Sequence, residues 1–245
     1  MFVDADLSDS IKQGLLLGTA VLALVLPLAP KQPRVATVSH PAPSVAVIER
    51  HLDFAGESAS DDARQVAQWV VASADNGDRP FAIVDKKAAR VFVFEPGGRL
   101  RGATPVLLGY APGDDSVAGI GQRPIAEVRP EERTTPAGRF VAMPGRNALH
   151  EDVVWVDYDA AVSMHRVRLN NPQEHRLERL ASPTASDNRI SYGCINMPVA
   201  FFEQVMWPNF GQQRGIIYVL PEIKPLAAVF PGLRSASTGR ADAPG

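Results

Sequence analysis

Between Pro80 and Glu222 the apolar residues come in short runs separated by turn-forming clusters. "FAIVDKKAARVFVFEPGGRL" sets two such runs around a polar turn, the pattern of a β-hairpin, with Gly97-Gly98 as the next turn. "GATPVLLGY", "TTPAGRFVAMPG", the two runs inside "DVVWVDYDAAVSMHRV" and "GIIYVLPE" near 215–221 continue the series of strands. Helical spacing is rarer. After the N-cap candidates in "SASDD", Val66, Trp69, Val70 and Ala74 recur at three- to four-residue intervals, which predicts a helix near 61–74 closed by Asn76-Gly77. "PVAFFEQVM" predicts a short helix opened by Pro198, since proline suits the first helical position. The pattern is that of a mainly β fold with few short helices.

The flanks read differently. "LLLGTAVLALVLPLAP", residues 15–30, has no charge. It is shorter than the roughly 20 residues a membrane span needs and suits the apolar part of a secretory signal or short signal anchor. The flanking charges fit that reading poorly. Asp4, Asp6 and Asp9 outnumber Lys12 before the run, and Lys31 and Arg34 follow it. Export or membrane tethering through 15–30, and a periplasmic or envelope location, are expected. Four parts follow: 1–30 as signal or anchor, 31–78 as a linker with one helix, 79–222 as the main domain, and 223–245 as a disordered tail rich in Ser, Gly, Ala and Pro.

A formal net charge of -2 over 245 residues provides no basic field, so nucleic acid is excluded as an expected partner. The single cysteine permits no internal disulfide and no Cys-rich zinc site.

That cysteine, Cys194, lies in "RISYGCINMP". Free cysteines are among the most buried residues and usually only pack. Here the neighbours Arg189, Ser191, Gly193 and Asn196 are unlike a core strand. A cysteine nucleophile needs an imidazole to take its proton, backbone N–H groups aimed at the oxyanion, and access. Gly193 permits a tight turn, and a helix opening at Pro198 would put a positive dipole end near the thiol. Five histidines are available: His40, His51, His150, His165 and His175. The first two precede the domain, and His150 reads as a loop residue. His165 ends the apolar run "AAVSMH", and strands hold catalytic groups well. His175 sits in the polar stretch "NNPQEHRLERLASPTASDN", which reads as an inserted loop or short helix near the cleft. His165 is the expected base and His175 the alternative.

"ISYGCINM" resembles the catalytic signature of the YkuD-type L,D-transpeptidases, a Ser/Thr-His-Gly-Cys-apolar-Asn/Arg run, through Ser191, Gly193, Cys194, Ile195 and Asn196. Tyr192 departs from it, standing where the family usually has His. "TTPAGRF" resembles the family's Thr-Pro-x-Gly-x-Phe segment through Thr135, Pro136, Gly138 and Phe140, and the hairpin at 81–100 resembles its opening strands. The similarity spans about 80–221. It implies a YkuD-like β-sandwich or barrel and acyl transfer without metal or cofactor, with peptidoglycan stem peptides as substrate. In that chemistry Cys194 attacks the carbonyl of an L-centre, the terminal D-residue leaves, and an amine takes the acyl group from the thioester. Water instead of amine gives carboxypeptidase or hydrolase activity, and loss of turnover at Tyr192 would leave a wall-binding module. The family histidine commonly precedes the Ser/Thr by about fifteen residues, which favours His175 by spacing; it also ends a strand, which favours His165. By the same resemblance Gly193, Tyr192, Ser191, Asn196 and Arg189 shape the oxyanion and substrate site, with Arg189 suited to a substrate carboxylate.

Overall fold

The computed structural model describes residues 48–234, so residues 1–47, with the apolar run 15–30 and the first part of the expected linker, and the end of the tail lie outside the described residues. The strands are β1 (Phe81–Asp85), β2 (Arg90–Phe94), β3 (Leu100–Pro105), β4 (Leu108–Gly109), β5 (Gly138–Arg146), β6 (Asp152–Asp157), β7 (Val162–Arg166), β8 (Arg189–Ser191), β9 (Ile195–Met197) and β10 (Gly215–Val219). The helices are α1 (Asp61–Ser73), α2 (Arg176–Ala181), α3 (Val199–Phe201), α4 (Trp207–Phe210) and α5 (Leu226–Val229). One eight-stranded sheet runs in the order β3-β2-β1-β10-β5-β6-β7-β9, and β4 pairs with β8 separately. The fold is mainly β, as the run lengths predict.

The hairpin explains its own sequence. Alternate side chains of a strand point to opposite faces. Ala82 and Val84 of β1, with Val91 and Val93 of β2, enter one core with Val154, Met164, Ile195 and Phe202. Phe81 and Ile83, with Phe92 and Phe94, enter a second core on the opposite face. Both faces are covered, so both strands read as unbroken apolar runs. Phe81 stacks on Phe94 at 4.7 Å between ring centroids.

The second core also receives Val66 and Val70 of α1, whose Ser60 N-cap accepts from Ala63 N. This helix is therefore part of the folded body rather than of a linker. Residues 51–54 likewise join the edge of β3: Leu100 N donates to Asp53 O at 2.9 Å, and Phe54 is buried. The tail expected to be disordered from 223 carries α5, and Phe230 and Leu233 are buried against Trp69 and Tyr218 in the same core. The α1 face of the sheet is too apolar to face water, and these tail residues complete its cover.

The helix expected at Pro198 starts at Val199 and runs on to Phe210 as α3, a wider turn over Phe202–Met206, and α4. Pro208 can donate no helical hydrogen bond, and the wide turn lies just before it. Two short strands the sequence pattern does not reveal, β8 and β9, flank Cys194. The nucleophile candidate thus sits between strands, not at a helix N-terminus, so a helix dipole has no part in its electrostatics.

Candidate active site

Parallel pairing of β7 with β9 sets Met164 against Ile195 and His165 against Asn196. One step back along both strands, Ser163 comes beside Cys194. The Cys194 Sγ lies 3.7 Å from Ser163 Oγ and 3.5 Å from Ala161 O. Alternation puts Ser163 and His165 on one face of β7, while Met164 points into the core. Cys194 and His165 line one cavity of about 290 Å³ together with Ser191, Tyr192, Arg176 and Ile125.

The turn that presents Cys194 is fixed from below. Gly193 has φ +125, and a Cβ there would stand 2.7 Å from Thr134 O, so only glycine fits. Thr135 Oγ1 donates to Gly193 O at 2.9 Å and accepts from Gly109 N at 2.9 Å. The carbonyl of Thr135 accepts from Lys86 Nζ at 2.9 Å, and the same ammonium binds Asp114 Oδ1 at 2.8 Å. Lys86, Asp114 and Thr135 are all buried. Burial alone would raise the Asp114 carboxyl, but the Lys224 N–H, the Lys86 ammonium and the N–H groups of Glu222 and Ile223 outweigh it and hold the group far below the usual carboxylate range. Ser191 Oγ accepts from Gly193 N at 3.1 Å and donates to Cys194 O at 2.6 Å.

His165 is fixed from the side. Its Nδ1 is 2.7 Å from Arg166 O, and a carbonyl can only accept, so Nδ1 carries the proton. Asn196 Oδ1 accepts from Arg176 Nη1 at 2.6 Å, which orients the amide. Its Nδ2 then donates to Cys194 O at 3.2 Å and faces His165 Nε2 at 3.4 Å. The imidazole is the neutral tautomer with its lone pair on Nε2. Burial pushes His165 down to about 4; the Arg166 carbonyl opposes this, the Arg168 and Arg176 guanidiniums add to it, and Glu151 opposes it. The ring is uncharged near neutral pH. No hydrogen bond joins the imidazole to the thiol.

The other expected site residues fall into three groups. Gly193, Ser191 and Asn196 surround Cys194 but spend their polar groups on the turn itself: the Gly193 N–H is taken by Ser191 Oγ, and the Asn196 amide by Cys194 O and Arg176. Tyr192 lines the cavity, half-exposed, with the Arg133 guanidinium 3.9 Å from its ring centroid. Arg189 is corrected: its guanidinium is paired with Glu222 and bonds Lys86 O at 3.2 Å, so it ties the sheet to the segment after β10 and is not free for a substrate carboxylate. His175 is exposed, paired with Glu178, and does not line the cavity. His150 is exposed in a turn with φ +60, and His51 is exposed beside Gly97. His40 lies outside the described residues.

Three contributors escape the sequence pattern. Ser163 could have been found, two positions before His165 on an alternating strand. Arg176 has no such signal, although the stretch around it was expected near the cleft. That stretch forms α2 and supplies Asn170, Asn171 and Glu174 to the cavity wall. Lys86 reads as one more polar residue in a hairpin turn.

No family model matches the chain, and no curated protein matches it. Solved structures do. Solved structures similar to it include L,D-transpeptidases. The catalytic domain of the Enterococcus faecium L,D-transpeptidase is 18% identical over 58% of this chain and 98% of that one, with a TM-score of 0.33. An L,D-transpeptidase from Xylanimonas cellulosilytica is 14% identical over 62% of this chain and 68% of that one, at 0.35. The helical cell shape determining protein Pgp2 from Campylobacter jejuni is 17% identical over 64% of this chain and 55% of that one, at 0.39. The match spans 49% to 65% of the length of the first such chains. No helix among the described residues is long and apolar enough to cross a membrane.

Proposed function

We propose that the chain is a cysteine acyltransferase of the L,D-transpeptidase type, acting on peptidoglycan stem peptides. The observation that carries this reading is the pairing, in one cavity, of a thiol held on the Gly193 turn with a neutral imidazole whose Nε2 lone pair is free of a proton. The motif residues support it. Thr135 and Ser191, both within the segments that resemble the family's, are the side chains that hold the turn.

The chemistry runs in two steps. The Cys194 thiol gives its proton to His165 Nε2, and sulfur attacks the carbonyl of the L-centre. The C–N bond to the terminal D-residue breaks, the imidazolium returns the proton to the departing amine, and a thioester remains. An acceptor amine then attacks the thioester, His165 takes the amine proton, and the thiol is regenerated. Water in place of the amine completes hydrolysis, the L,D-carboxypeptidase or hydrolase alternative. Tyr192, in the position of a family histidine, lies under Arg133 at the rim of the cavity and carries no proton in this scheme. A catalytically weak wall-binding module is the remaining alternative. Residues 15–30 support an envelope location, as signal or tether.

Muropeptides incubated with the protein, with and without an amine acceptor, are to be resolved by mass spectrometry. Cross-linked product that depends on the acceptor is expected. Only trimmed peptide would reassign the chain to the hydrolases, and no product from a folded sample would favour the binding module.

A further inference from the structure

Among the described residues, the side chain in hydrogen-bond contact with the Cys194 sulfur is not the expected base but Ser163. Ser163 is buried, with 4% of its surface exposed, on a strand whose outward neighbour on the same face is His165. The second contact of the sulfur is the carbonyl of Ala161, at 3.5 Å. Ala161 is in the left-handed region at φ +54, an uncommon conformation for a residue with a Cβ, in the turn that connects β6 to β7. One short segment, 161–163, thus brings two groups of opposite character to the sulfur.

Their chemistry differs with the charge on sulfur. A carbonyl oxygen can accept the S–H of a neutral thiol but offers nothing to a thiolate. A serine hydroxyl rotates freely and can accept from the thiol or donate to the thiolate. A hydrogen bond to a charged group is worth roughly twice a neutral one. The Ser163 hydroxyl therefore gains strength as the thiol proton leaves. Of the two groups hydrogen-bonded to the sulfur, only Ser163 can do this.

We propose that Ser163 is a catalytic residue of this site: its O–H donates to the Cys194 thiolate once the proton has gone to His165, while the Ala161 carbonyl holds the S–H in the resting state. Ser163 itself neither gains nor loses a proton. The proposal rests on Cys194 being the nucleophile, but its test needs no peptidoglycan.

Cys194 is the single cysteine, so alkylation of the full chain by iodoacetamide reports on it alone. The rate is followed from pH 5 to 10 for the parent, Ser163→Ala and Ser163→Thr, with thermal unfolding as the check on folding. Ser163→Ala is expected to react about tenfold more slowly at pH 7, with the midpoint of its profile about one pH unit higher. Ser163→Thr keeps the hydroxyl and is expected to retain the parent midpoint. Superimposable profiles for folded parent and Ser163→Ala overturn the proposal, as does an equal change in the Ala and Thr variants. A shifted Ala profile with a restored Thr profile supports it even if no muropeptide is turned over, an outcome that would sink the transpeptidase reading alone.

Discussion

Cys194 is held between two regions of unlike construction. Below it, Lys86, Asp114, Thr135 and Ser191 are all buried, and each hydrogen-bonds a backbone group or a charged partner. Beside it, His165 and Arg176 are partly exposed, and the Asn196 amide bridges them. The first region fixes where the sulfur is. The second fixes which tautomer and charge the imidazole has. Position is set by a buried hydrogen-bonded network; protonation is set first by burial of the imidazole and then by contacts at the cavity wall, one of them from the 170–188 stretch.

Breaking the lower region is expected to have the largest effect. Lys86→Met leaves the Asp114 carboxylate and two carbonyls without their buried ammonium, and a loss of about 3 kcal/mol in stability follows from orphaning a buried charge. Urea unfolding measures it; a midpoint like the parent's would show that the three N–H groups on Asp114 suffice. Thr135→Val keeps the shape but removes the hydroxyl from Gly193 O and Gly109 N. A stability loss of about 1–2 kcal/mol is expected, with a drop in Cys194 alkylation that changes of Arg168 or Arg176 at the wall do not reproduce.

Breaking the wall should instead leave stability nearly intact and move the imidazole. In Arg176→Met a nearby cation is gone and the Asn196 amide is free to turn. The His165 titration, followed by NMR, is expected to rise slightly from about 4, because burial, the largest cause of its low value, stays in place. An unchanged titration would mean that burial alone sets the charge. The remaining test is the effect of pH on the parent. With the folded value near 4 and the unfolded value near 6.5, only the unfolded chain binds a proton at this site between those limits. Its contribution to stability is therefore full above about 6.5, falls as the pH drops toward 4, and then levels off. A His165→Gln variant should lack that component of the decline.

The same contrast decides what the sequence discloses. The hairpin 81–94 is legible because both its faces are buried, and its residues are apolar for that reason. That Cys194 and His165 share one cavity is legible through motif and strand end. β8 and β9 are not, since three residues each carry no period. Lys86 is opaque because its partners lie 28 and 49 residues away and nothing local marks a buried ammonium. Leu226, Val229, Phe230 and Leu233 are among the few large apolar residues in a tail otherwise rich in small and polar ones, and the uncovered face of the sheet explains their packing. Arg189 misled because a polar residue near a nucleophile invites a substrate role, while its partner Glu222 is 33 residues further on.

The central claim is that Cys194 is an acyl-accepting nucleophile. It is tested most directly by incubating the full chain with a tetrapeptide-stem muropeptide, quenching in acid and mapping the covalent mass by peptide mass spectrometry. The expected result is a mass gain on Cys194 equal to the muropeptide less the released D-amino acid, absent in Cys194→Ala. A folded protein that carries no adduct on Cys194, or carries it elsewhere, would contradict the account.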